Sequence, residues 1–176
     1  MARKNRWEYL NDFRKDESGK YEYTGSLYGF AGSEEARKRA YTKLWVLLAA
    51  AAAASVSSGC VSGAGLTNTF YVILPYIGEI CALFALTWYH CKLLTKGDEV
   101  RGYIYQKTQP RMAPAAMILA FFAIAGLLTS VIFSVMTAFK DGVWQAAVYW
   151  VLKATAASLA LCYRSLFAKL EWIELP

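Results

Sequence analysis

Glu79 and Lys153 each stand alone as a charge in long apolar sequence, and they are the residues here best placed to do chemistry. A carboxylate can exchange a proton or bind a cation, and a nearby ammonium can neutralise it or tune its proton affinity. Four segments, 44–64, 69–91, 113–139 and 143–163, contain these two charges and no others. The chain has 176 residues with 19 Lys or Arg and 13 Asp or Glu. An even spread would place about 17 of those charges in the four segments. Glu79 lies ten residues after Thr69, and Lys153 ten after Val143. At 1.5 Å per helical residue each is about 15 Å deep, near the centre of a hydrocarbon layer about 30 Å thick. A lone charge at that depth costs at least about 2.5–3.5 kcal/mol, and an opposite charge offsets part of it. The two are therefore expected to meet, with the second and fourth helices adjacent.

Other polar groups reach a similar depth: Ser55 from the first segment, and Thr129 and Ser130 from the third. Tyr76, Tyr149 and Trp150 lie about a turn further out. Pro75 removes a backbone hydrogen bond and Gly78 follows within a turn, so a kink is expected there. Three readings fit this layer. The pair can fix helix register in a static bundle. Glu79 can exchange protons or cations with Lys153 tuning it, in a small oligomeric transporter or channel. Or the layer can contact another protein's transmembrane helix, which makes the chain a packing or accessory subunit. For the layer itself the register-fixing pair leads; for the chain as a whole the leading reading is a non-enzymatic packing or accessory subunit, with the small oligomeric transporter or channel as the alternative.

No catalytic constellation appears. His90 is the only histidine and is read as an interfacial residue, and no metal-binding spacing or Gly-rich phosphate loop is present. No cofactor and no metal site are expected. The cysteines Cys60, Cys81, Cys91 and Cys162 form no close pair, so no intrachain disulfide is expected, and buried thiols act as small apolar groups.

The elements that must hold these residues follow from composition. The apolar fraction is 57%, above the 45–50% of soluble domains, and each of the four segments exceeds the roughly 18 residues that mark a spanning helix. That excludes a soluble domain, a disordered chain and a β-barrel, whose strands run only about ten residues. The fold class is an all-α integral membrane protein: a four-transmembrane-helix bundle with a small cytoplasmic cap from the N-terminal tail and the second loop. Residues 1–43 form the tail and 44–176 the transmembrane domain.

Lys and Arg are placed asymmetrically. Ten fall in the tail, five in the second loop and two after the last span, whereas the first and third loops together hold one, Lys140. Both termini are thus expected in the cytoplasm of a multi-pass plasma-membrane protein. The net charge of +6 reports topology, and no nucleic-acid partner is expected. The run 47–54 before Cys60 superficially resembles a lipoprotein signal, but it begins late and Ser57 occupies the position three before Cys60. A retained first span is the expectation.

In the tail, Trp7, Leu10 and Phe13 recur at helical spacing and suggest a short amphipathic helix, either resting on anionic lipid headgroups or packed on the cytoplasmic face of the protein. Ser33 followed by Glu34 and Glu35 reads as the start of a helix that runs into the first span. Residues 21–28 and 100–106 are β-like and are expected to pair. In the first span Ser55, Gly59 and Gly63 recur every four residues, which permits close helix packing and suggests a central helix or a contact between copies or with a larger membrane partner. The bulky third span is expected to face lipid. Trp45, Trp88, Trp144 and Tyr163 read as headgroup-level anchors.

Overall fold

The computed structural model describes residues 12–15, 19–62, 66, 69–95, 99–140 and 142–175. Four helices dominate: α1 (Glu34–Gly59), α2 (Phe70–Leu94), α3 (Gly102–Met136) and α4 (Val143–Phe167). All four are long and apolar enough to cross a membrane. Outward-facing Phe70, Phe84, Trp88, Phe121 and Trp144 are each more than half exposed. Four such apolar helices suggest a multi-pass membrane protein.

Local sequence sets the helix ends. Ser33 caps α1, its hydroxyl accepting from the Ala36 backbone N–H at 3.3 Å, and Glu34 and Glu35 pair with Lys38 and Arg39 one turn on. α2 continues through Pro75, which falls in its second turn. α3 starts at Gly102, well before the expected span at 113, and carries Pro110 and Pro114 inside it. Residues 102–106 are therefore helical rather than β-like. The Gly102 N–H, a first-turn donor with no helical carbonyl to bond, is satisfied by the Ser26 carbonyl at 2.7 Å and the Tyr23 hydroxyl at 3.0 Å, so the helix starts there capped. The turn into α4 holds Gly142 at φ +98°, a conformation that favours glycine.

Around the bundle, α2 packs along α3, α3 along α4 and α4 along α1, while α1 and α2 touch only briefly. α2 and α4 thus face one another across the bundle, which corrects the expected adjacency. The long Glu and Lys side chains meet across the axis without neighbouring backbones. The central helix is α3, not α1. Its outward face is bulky (Phe121, Leu128, Ile132), but its buried face is a run of small residues, Ala116, Ala120, Ala123, Gly126, Ser130 and Ser134. Small side chains there let α2 and α4 both approach. Ala54, Ala123, Ala156 and Ala157 form one such close-packed cluster.

Short strands gather at the end of the bundle where α1 and α3 begin and α2 and α4 finish. β1 (Phe13–Lys15) pairs antiparallel with β2 (Tyr21–Tyr23). β3 (Leu27–Phe30) is the centre of a second sheet, between β4 (Val100–Arg101) and β5 (Trp172–Leu175). That sheet joins the segments before α1, between α2 and α3, and after α4. Tyr28 stacks on Tyr105 at 4.2 Å, and Tyr105 leans on Trp172 at 5.5 Å. Trp7 and Leu10 lie outside the described residues, and Phe13 is in a strand rather than a helix, its ring edge-on to cross-strand Tyr23 at 5.3 Å. Burial raises the Tyr23 phenol above its usual value near 10, with the Gly102 N–H working against that shift.

Candidate functional site

Glu79 and Lys153 are both fully buried and form an ion pair, Nζ donating to Oε2. α2 and α4 present them from opposite sides of the bundle. The other carboxylate oxygen, Oε1, accepts from the Ser55 hydroxyl of α1 at 2.6 Å. Ser58 donates to the Ser55 carbonyl at 2.7 Å, which orders that turn of α1. The Lys153 ammonium also lies over two aromatic faces, Tyr76 at 4.5 Å and Tyr149 at 5.1 Å. Ring faces attract a desolvated cation, so the ammonium is held by a carboxylate on one side and an aromatic cage on another. The Tyr149 hydroxyl is buried with no hydrogen-bond partner among the described residues.

Not every residue expected in this layer joins it. Thr129 donates back to the Ala125 and Gly126 carbonyls of its own helix, at 3.0 and 3.2 Å. Ser130 is buried and accepts from Trp150 Nε1 at 3.3 Å. Gly78 marks a close approach of α2 and α3, where an added Cβ would come within 2.5 Å of the Phe122 ring. At Gly59 the Tyr76 hydroxyl occupies the space a Cβ would need, so α1 and α2 converge there. Gly63 lies outside the described residues. Ser55 faces the core, so the stripe it begins serves packing within the bundle at that point.

A second buried polar group went unread in the sequence. His90 is fully buried rather than interfacial, with Nδ1 2.7 Å from the Tyr163 hydroxyl. Tyr163 is 1% exposed and is no headgroup anchor. Trp45 stands edge-on to the His90 ring at 4.3 Å. The signal was spacing. His90 follows Glu79 by eleven residues, three helical turns, so both project from one face of α2.

All four cysteines are free, and Cys60, Cys81 and Cys162 are exposed rather than buried, since the apolar exterior accepts a thiol as readily as the core does. Among the described residues no group of His, Cys, Asp and Glu is arranged to hold a metal ion. Compared with known proteins, the chain matches no family model, no curated protein and no solved structure.

Proposed function

We propose that this chain is a non-enzymatic, multi-pass component of the plasma membrane, a packing or accessory subunit whose midplane ion pair seats four helices against one another. The observation that carries this reading is the occupancy of the pair. Both Glu79 oxygens are taken by the chain's own donors, the ammonium sits between Tyr rings, and both side chains have no solvent contact. A carboxylate that exchanges ions needs an approach from water, whereas a register-fixing pair needs none.

The charge asymmetry supports an orientation with both termini and the small sheets on the cytoplasmic side, as a cap. For assembly, the outward face of α1 is informative. Ala49, Ala53 and Ser57 are exposed at four-residue spacing, and α1 has only α4 as an extensive neighbour. Small residues at that spacing allow a second helix, from another copy or a larger partner, to approach closely. One observation favours the transport reading instead: Tyr149, whose ring lies against Lys153, has a buried hydroxyl with no hydrogen-bond partner among the described residues.

Vesicle-reconstituted Glu79→Gln, Lys153→Met and double variants test the choice, with assembly read by mass and proton or cation flux by dye. The accessory reading expects single changes to weaken assembly, the double change to restore it, and no flux to depend on either residue. Intact assembly with flux abolished by each single change would establish transport and overturn it.

A further inference from the structure

A groove of about 540 Å³ runs between α2 and α3 on the outside of the bundle. Its floor is made of small residues, Gly78, Ala82 and Ala85 of α2 and Ala115 of α3, while Ile118 in its wall is large and half exposed. It extends from Tyr89 to Gly78 on α2 and from Pro110 to Phe122 on α3. The walls therefore cover twelve and thirteen residues, about 16–18 Å, close to one leaflet of a hydrocarbon layer about 30 Å thick. An apolar trough one leaflet long matches a single hydrocarbon chain in length. Its lining is apolar except at the end nearest the sheets, where Arg111 is exposed and has no carboxylate partner among the described residues.

We infer that this groove binds one acyl chain of an anionic phospholipid from the cytoplasmic leaflet, with the phosphate of the headgroup on Arg111. The guanidinium supplies planar donors that match a phosphate, and the small-residue floor lets the chain lie against two helices at once. The inference rests on the membrane and orientation readings above, and it holds whether or not the chain is an accessory subunit.

The test uses the full chain in vesicles of phosphatidylcholine containing a minority of phosphatidylglycerol, followed by native mass spectrometry of retained lipid. Flotation with the vesicles comes first, and failure to float would overturn the membrane reading rather than this site. Phosphatidylglycerol is expected to be retained about fivefold over phosphatidylcholine, as one Arg at the surface allows. Arg111→Gln should abolish that preference and Arg111→Lys should keep most of it. Ala85→Leu, which fills the groove, should lower retention of both lipids. Equal retention of the two lipids by the unaltered chain, or a preference that survives Arg111→Gln, would overturn the proposal. So would efficient oxidative crosslinking through Cys81, which lines the groove, because it would make this face a contact between copies.

Discussion

Glu79 and His90 project from one face of α2 three turns apart, and each is met by one residue of α1 and one of α4. Glu79 meets Ser55 and Lys153, and His90 meets Trp45 and Tyr163. The two layers thus hold α2 to helices along which it barely packs, since its one extensive neighbour is α3. They do so by different means. In the upper layer both carboxylate oxygens and the ammonium are engaged. In the lower layer His90 Nε2 has no hydrogen-bond partner among the described residues, and the contacts are one neutral hydrogen bond and two ring contacts. A charged layer with its bonds complete is intolerant of losing one member. A neutral layer with a spare nitrogen should tolerate the same loss.

The widest separation between the layers is expected from removing a charge. Glu79→Gln leaves a buried ammonium and Lys153→Met a buried carboxylate. Each loss should cost about 3–5 kcal/mol, because breaking a buried pair leaves one charge uncompensated. Unfolding in mixed detergent at pH 7 reads both losses, and a loss below about 1 kcal/mol from either change would contradict the layer's charged character.

Smaller effects compare single hydrogen bonds. Ser55→Ala removes a donor to a carboxylate and should cost about 1.5–3 kcal/mol, whereas Tyr163→Phe removes a neutral partner of His90 and should cost about 1 kcal/mol. Equal losses in the same unfolding assay would erase the distinction between layers. Tyr149→Phe removes an unpartnered hydroxyl while keeping the ring over Lys153, so it should be neutral or stabilising by up to about 1 kcal/mol. A clear loss would show that this hydroxyl has a partner or a role.

The smallest effect concerns the sheets. Burial raises the Tyr23 phenol, so its contribution is complete below its unfolded value near 10 and is lost as pH climbs through the raised value. Limited proteolysis of the β1–β2 region should therefore accelerate above pH 10, and less so in Tyr23→Phe.

The helices were legible because each exceeds the length that only a spanning segment needs, and the charge pair because two exceptions in uncharged sequence invite comparison of depth. Helix order was not legible, because a Glu and a Lys can meet across a bundle as well as between neighbours. Bulky residues disclosed the outer face of α3 but not its small inner face, which made it central. β5 escaped notice because Trp172–Leu175 is short and pairs with residues far away in the chain. The burial of His90 is encoded in its register with Glu79, not in its distance from the span end.

The central claim is that Glu79 and Lys153 act as one structural unit. A double-mutant cycle of Glu79→Gln and Lys153→Met at pH 7, read by reversible unfolding in mixed detergent, measures it directly. The account predicts a coupling of about 2–3 kcal/mol, with the double variant far more stable than the sum of the two single losses implies. Losses that add to within about 0.5 kcal/mol would contradict it.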